Sequence, residues 1–144
     1  MTPDLIARLP REGSEMTALK RTINARVRRG VRLLDAKVPQ WRNAFWAVPK
    51  EAFNINDIEF CVLGHLSKAV VDRTLRVRIP SDISSYAKKG EDWRLGRELL
   101  GIGYCHAEEG EAWQYGFDFE PGDDDTKQVK PLLQSLWEKE IWGE

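Results

Sequence analysis

The chain has 144 residues, a length typical of one domain, with 42% apolar and 31% charged residues. This composition excludes collagen-like chains, disordered tails and disulfide-dense secreted scaffolds. The formal net charge is −1, but residues 1–89 hold 17 Lys/Arg and 9 Asp/Glu, whereas residues 90–144 hold 5 and 14. The two parts of the chain thus carry net charges of +8 and −9. These charges can neutralise each other within one fold, or the basic part can bind an anionic partner, and we expect internal neutralisation of most of the charged residues.

The start of the chain, its cysteines and its hydropathy predict a cytoplasmic protein. Residues 1–4 lack the basic and then apolar pattern of a signal peptide, and Cys61 and Cys105 are the only cysteines. The longest apolar stretch, around residues 60–64, is far shorter than the ~20 residues that a membrane span needs. We therefore expect no membrane partner.

Residues 14–37 carry the clearest helical pattern in the sequence. Apolar residues recur there every three or four positions, and the pattern ends before Pro39. Gly30 interrupts it, which predicts close packing by a neighbouring element. Residues 1–13 contain Pro10 and are predicted to form a separate N-terminal arm with at most one helical turn.

Two further apolar stripes predict helices over residues 57–73 and 131–142. Asn56 and Glu59 form a capping-box-like pair at the start of the first stripe. Pro131 suits the first position of the second, because its missing N–H is harmless there. We expect these two helices to enclose the core together with the first one.

The segments between these helices predict short elements and irregular connections. Residues 39–49 are rich in aromatic side chains without a clean period, so we expect an aromatic-anchored connection. Residues 75–79 alternate apolar and basic side chains but find no partner strand, and we expect an extended connection. Shorter helices are expected over residues 81–89, 91–100 and 107–115. The predicted fold class is all-α, a single small domain over residues 1–144 with four to six helices.

Four short motifs follow one another between residues 29 and 141. They are Arg29-Gly30-x-x-Leu33-Leu34-Asp35-x-x-x-Pro39-x-Trp41, Cys61-Val62-Leu63-Gly64-His65-Leu66, Tyr115-Gly116-Phe117-Asp118 and Leu133-x-x-x-Trp137. Their order resembles that of short uncharacterised proteins from actinobacteria and their phages. In that family Gln usually stands at the position of His65, and aromatic and glycine residues at those of Ser67 and Lys68. The resemblance implies a bacterial or phage cytosolic protein and no particular mechanism.

The helix over residues 14–37 carries a dense row of arginines. Arg26 and Arg29 lie at i, i+3, and Arg28 and Arg32 lie at i, i+4, so their guanidinium groups can grip phosphates bidentately. Pairing of these arginines with the acidic second part of the chain is the competing interpretation. The row is the main candidate binding surface.

Aromatic and imidazole side chains complete the predicted ligand-binding set. Trp41 and Trp46 follow the basic helix and can either anchor the core or stack on a planar ligand such as a nucleobase. The ligand-binding candidates are Arg26, Arg29, Arg32, Trp41, Trp46 and His65. Core packing is the competing interpretation for each tryptophan.

The cysteines and histidines fall into two pairs, Cys61 with His65 and Cys105 with His106. On a helix the first pair shares one face, as zinc ligands or a thiol and its base must. However, the 39 residues between the pairs match no compact zinc spacing, and the apolar neighbours of Cys61 favour burial. We therefore expect no catalytic residue, no metal and no cofactor. A thiol- or metal-dependent enzyme that uses either pair is the alternative hypothesis.

These features together predict a non-catalytic accessory protein that acts by binding. The expected partner is an anionic small molecule or a host protein. The protein would sequester this partner, as counter-defence proteins of phages do, in the bacterial or host cytoplasm. A nucleic-acid-binding regulator that uses the basic helix over residues 20–37 is a further alternative. We favour it less because the isoelectric point is about 6.2 and the sequence shows no helix-turn-helix or zinc module. The sequence is compatible with either a monomer or a homodimer.

Overall fold

Five α-helices and three 3-10 turns form the described part of the chain. The computed structural model describes the backbone of residues 3–57, 59–79, 81–85, 87–102, 111–118 and 126–143, and the side chains of these residues except 3–16 and 126–127. The helices are α1 (Pro3–Lys37), α2 (Asn43–Trp46), α3 (Val62–Val71), α4 (Arg94–Leu100) and α5 (Thr126–Trp142). The 3-10 turns span Lys50–Ala52, Ala87–Lys89 and Ala112–Tyr115. The described residues contain no strand, so the predicted all-α class is confirmed.

Helix α1 is longer than the sequence pattern indicated. It begins at Pro3 and continues through Pro10, so the predicted helix start at residue 14 was wrong, and residues 3–13 form more than the single helical turn that was expected. A proline inside a helix removes one backbone hydrogen bond and often bends the helix, but it does not always end it. At 1.5 Å per residue, α1 is about 50 Å long.

Helix α3 begins later than predicted because two side chains satisfy the backbone before it. The Oδ1 atom of Asn54 accepts the N–H of Asn56, and the Oδ1 atom of Asp57 accepts the N–H of Glu59, each at 2.9 Å. Such local bonds hold the backbone in turns and compete with helix formation. The predicted capping box of Asn56 and Glu59 is therefore absent, and α3 begins at Val62.

Helix α5 begins earlier than predicted. It starts at Thr126, and Pro131 lies inside it on an exposed position rather than at its first turn. On the solvent side of a helix, water can replace the hydrogen bond that a proline removes. The predicted start at Pro131 was wrong for this reason.

The connections agree more closely with the sequence. Helix α4 lies within the predicted range 91–100, and residues 75–79 form neither helix nor strand. The 3-10 turns Ala87–Lys89 and Ala112–Tyr115 occupy the ends of two predicted short helices. Residues 103–110, which include most of the first half of the predicted helix 107–115, lie outside the described residues.

Helices α1, α3 and α5 supply just under half of the buried apolar residues in the described part of the chain, and α2, α4 and the connections supply the rest. The largest side chains that are less than 2% exposed are Trp41, Trp137, Phe45, Ile23, Leu34, Leu63, Leu66, Leu95 and Leu133. Gly30 permits the closest approach in this core. A Cβ atom there would overlap the carbonyl oxygen of Tyr115 and lie 3.0 Å from the ring of Trp137. The predicted close packing at Gly30 is therefore confirmed.

No helix in the described ranges has the combination of length and apolar character that crossing a membrane requires.

Candidate functional site

A groove of about 510 Å³ runs between α1 and α5, and most of its charged residues are basic. We call it the basic groove. It is lined by Thr17, Lys20, Arg21, Asn24, Arg28, Leu132, Ser135, Leu136, Lys139 and Glu140. The helical spacing of residues 17, 20, 21, 24 and 28 explains why these α1 side chains share one face. Leu132 and Leu136, one turn apart on α5, form its apolar wall.

A shallower depression of about 390 Å³ continues the basic groove along α1. It shares Arg21, Asn24 and Arg28 with the groove and adds Ala25, Arg29 and Arg32. All four arginines are exposed. The structure thus combines the predicted Arg29 and Arg32 with Arg28 in one continuous basic surface.

Among the described residues, the cations of this surface have no carboxylate partner. In the described part of the chain, ion pairs join Arg42 to Asp35 and Glu140, and others join Lys68, Arg94 and Arg97 to nearby acids. None of them involves Lys20, Arg21, Arg28, Arg29 or Arg32. Among the described residues, the predicted neutralisation by the acidic second part of the chain is therefore not seen for these five cations.

Glu140, the one carboxylate among the described residues that line the basic groove, is already paired. Glu140 lines the groove, but its Oε2 atom lies 3.8 Å from the guanidinium of Arg42. Arg28 and Arg32, one helical turn apart, repel each other, and like charges at this spacing cost about 0.2–0.5 kcal/mol. The fold thus retains an unfavourable concentration of positive charge at its surface.

Arg26 is not part of the exposed row. Its side chain is only 9% exposed, and its guanidinium lies over the ring of Trp113, 5.1 Å from the ring centroid. Residues 23, 26 and 27 share the buried stripe of α1, which explains this placement. Arg26, a predicted ligand-binding residue, is therefore a packing residue that makes a cation–π contact.

Trp41 is a core residue rather than a stacking platform. It is 1% exposed, and its ring meets Phe45 and Trp137 edge to face at 5.9 and 6.0 Å. Its indole N–H donates to the Oδ1 atom of Asp35 at 2.9 Å. The competing interpretation of core packing is thus the correct one for Trp41.

Trp46 is 57% exposed but does not line the basic groove. Its indole N–H donates to the backbone carbonyl of Ile141 at 2.9 Å, which fixes the ring against the end of α5. The structure therefore does not bring the two predicted tryptophans together with the exposed arginines.

His65 and Cys61 are buried within the core. His65 is 3% exposed, and its Nε2 atom lies 3.3 Å from the carbonyl oxygen of Ala52, an acceptor, so Nε2 carries the proton. Its ring centroid lies 4.9 Å from that of Phe45. Burial lowers the pKa of His65 and raises the pKa of the Cys61 thiol to about 11. His65, a predicted ligand-binding residue, thus has a structural role.

The Cys61 thiol is not activated as a nucleophile. A thiol with a pKa of about 11 is protonated at neutral pH, whereas the attacking form of a cysteine is the thiolate. No group of three or more His, Cys, Asp or Glu side chains within the described ranges could hold a metal ion. Cys105 and His106 lie outside the described residues.

The α5 side of the groove was absent from the sequence predictions. Lys139, Leu132 and Leu136 contribute to it because α5 packs along α1. The apolar stripe of α5 indicates that this helix is buried on one side, but no sequence signal specifies which face of α1 it covers. The missed residues are therefore those that depend on tertiary packing.

Comparison with models of protein families, with curated proteins and with solved structures finds no match for this chain. The resemblance to actinobacterial and phage proteins, and the counter-defence role that it suggests, therefore stay predictions. The proposals below rest on the geometry of this chain.

Proposed function

We propose that this protein is a non-catalytic binding protein that holds the phosphate backbone of a nucleic acid at its basic groove. The single observation that carries the proposal is the set of exposed α1 cations without a carboxylate partner among the described residues: Lys20, Arg21, Arg28, Arg29 and Arg32. Four of these five are arginines, and the planar, permanently charged guanidinium group can donate two parallel hydrogen bonds to phosphate oxygens.

The shape of the surface favours a polyanion over a small phosphorylated molecule. From Arg21 to Arg32 the helix rises about 16 Å, so the charges are spread along a line. Small-molecule sites usually enclose most of their ligand in a concave pocket. The basic groove and its continuation are open along α1, and a chain of phosphates can contact several of these cations at once.

The chemistry of the lining favours backbone contacts over base contacts. No aromatic side chain lines the described groove, whereas proteins that select single strands usually stack bases on aromatic rings. Arginine contacts to phosphates set position and affinity but carry no sequence information. We therefore expect duplex binding that is independent of sequence and strongly dependent on salt.

The test is a titration of a fluorescein-labelled 20-base-pair DNA duplex, followed by fluorescence anisotropy over a range of salt concentrations. Each phosphate contact contributes about −0.9 to the slope of log Kobs against log salt concentration. We expect the variant Arg28→Gln to weaken binding and to reduce the slope by about one unit. The matched control is Lys88→Gln, which removes one exposed charge outside the groove and is expected to bind like the unmodified protein.

Two results would contradict the proposal. The first is that both Arg28→Gln and Lys88→Gln leave the affinity for the duplex unchanged, because the duplex would then bind outside the basic groove. The second is displacement of the duplex by polyglutamate at equal charge concentration, because the groove would then prefer acidic protein surfaces. Glutamine is a good helix former, so neither variant is expected to disturb the helix in which it lies.

A further inference from the structure

Within the described residues, the four residues Arg76 to Ile79 that follow α3 make no backbone hydrogen bond. Arg73 has a φ of +67°, which turns the chain out of the helix, and the N–H of Leu75 donates to the carbonyl of Ala69 at 3.0 Å. From Arg76 to Ile79 the backbone forms neither helix nor strand, so its N–H and C=O groups are not used in regular structure. Sheet edges present backbone groups in the same way.

The side chains of this segment alternate as those of an edge strand do. Leu75 is buried, and Val77 and Ile79 pack in part against the core. Arg76 and Arg78 are exposed between them. Successive side chains point to opposite faces in an extended chain, so we infer from this alternation an extended segment with one face on the core and arginines on the other.

A groove of about 640 Å³ lies along the extended segment. It is lined by Val70, Arg73, Leu75, Arg76, Val77, Arg78 and Ile79. In the described part of the chain none of its three arginines has an ion pair. The groove shares no residue with the basic groove between α1 and α5, so it is a separate surface.

We propose that residues 76–79 form a docking edge for an extended, acidic segment of a partner protein, which adds to them as a β-strand. A peptide in extended conformation offers alternating N–H and C=O groups that match those of the edge, and main-chain hydrogen bonds of this kind supply affinity in strand addition. A nucleic acid backbone has no such alternation of donors and acceptors. The three arginines select acidic side chains on the incoming strand.

The test uses a fluorescein-labelled peptide of sequence Glu-Val-Glu-Val-Glu-Val, acetylated and amidated, in a fluorescence anisotropy titration. Two further peptides carry N-methyl groups on either the Glu or the Val amides. Alternate amides of a strand face the same side, so we expect one N-methylated peptide to bind about tenfold or more weakly and the other to bind like the parent. A Lys-Val peptide of equal length is expected not to bind.

The position of binding is tested on the protein. We expect Arg76→Glu to weaken peptide binding by about tenfold, because an attractive contact becomes a repulsive one. Arg28→Gln, in the basic groove, serves as the control and is expected to leave peptide binding unchanged. In ¹⁵N-edited NMR spectra, the amide resonances of Arg76 to Ile79 are expected to shift on peptide addition and to exchange more slowly with solvent.

Three outcomes would overturn the proposal. If both N-methylated peptides bind like the parent, the contact is one of charge alone. If Arg28→Gln weakens peptide binding as much as Arg76→Glu does, the peptide occupies the basic groove. If the amide resonances of residues 76–79 do not respond, the extended segment is not the docking edge. Because the DNA titration uses different residues, its failure would leave this proposal unaffected.

Discussion

The indole N–H of Trp137 donates a 2.6 Å hydrogen bond to the backbone carbonyl of Gly116. Trp137 is fully buried on α5, and its ring stacks on that of Phe117 at 5.4 Å. Gly116, with a φ of +72°, ends the 3-10 turn Ala112–Tyr115 in a left-handed conformation. One buried hydrogen bond therefore joins α5 to a turn that also packs against α1.

Replacing Trp137 by Phe is expected to destabilise the protein by about 2–4 kcal/mol. The smaller ring leaves space in the core, and the Gly116 carbonyl loses its indole donor in a site without solvent. Urea denaturation measures the free energy of unfolding. Trp46→Phe is the matched control, since it also loses an indole bond to a carbonyl but at an exposed side chain, and we expect a loss of less than about 1 kcal/mol. Equal losses in the two variants would contradict the assignment.

The Ser67 hydroxyl links α3 to α4 within the core. It donates to the carbonyl of Leu63 at 2.9 Å and accepts the N–H of Gly96 at 2.8 Å. Ser67→Ala leaves that N–H without a partner, at an expected cost of about 1–3 kcal/mol in unfolding free energy. The control Ser85→Ala, at an exposed position, is expected to change stability by less than about 0.5 kcal/mol. Chemical denaturation that finds both variants alike would exclude this role for Ser67.

Stability is expected to fall as the pH is lowered from 7.5 to 5.5, partly because of His65. Burial lowers its pKa, so below the usual histidine pKa of about 6.5 the unfolded chain binds a proton that the folded chain does not. The free energy of unfolding then falls by at most about 1.4 kcal/mol per pH unit. Urea midpoints at the two pH values measure this effect.

A glutamine variant isolates the contribution of His65. His65→Gln is expected to reduce the pH dependence of unfolding, whatever its effect on stability at pH 7.5. If this variant shows the same pH dependence as the unmodified protein, buried His65 does not account for the effect.

The Cys61 thiol is expected to resist modification in the folded protein. Its pKa is raised to about 11 by burial, so at pH 8 only about one thiol in a thousand would be ionised. In a Cys105→Ala variant, Ellman's reagent should report no reactive thiol before urea is added and one thiol afterwards. Rapid reaction without urea would instead restore Cys61 as a candidate nucleophile.

The sequence predicted those parts of the fold that depend on periodicity. The helical class, the three main helices and the close approach at Gly30 follow from the spacing of apolar residues and from a glycine within a strong helical pattern. The errors at helix ends have local causes. Proline rules placed the starts of α1 and α5 too late, and the side chains of Asn54 and Asp57 formed turns where a capping box was predicted.

The candidate site was predictable only where it lies on one helix. Arg29 and Arg32 face solvent as expected, because their positions on α1 avoid the buried stripe. Arg26 lies on that stripe beside Ile23 and Val27, so helical geometry already contained the signal that it is buried. The contribution of Lys139 depends on how α5 packs on α1, and spacing within one helix carries no such information.

The side-chain amide of Gln134 joins α5 to the loop before α3. It pairs with the backbone of that loop through one donor and one acceptor, as a peptide group would. Its Nε2 atom donates to the carbonyl of Phe53 at 3.0 Å, and its Oε1 atom accepts the N–H of Ile55 at 2.7 Å. Sliding α5 by a single residue would break both bonds together. Gln134 consequently fixes the position of α5 along its own axis relative to this loop, and Lys139, farther along the same helix, shares that position.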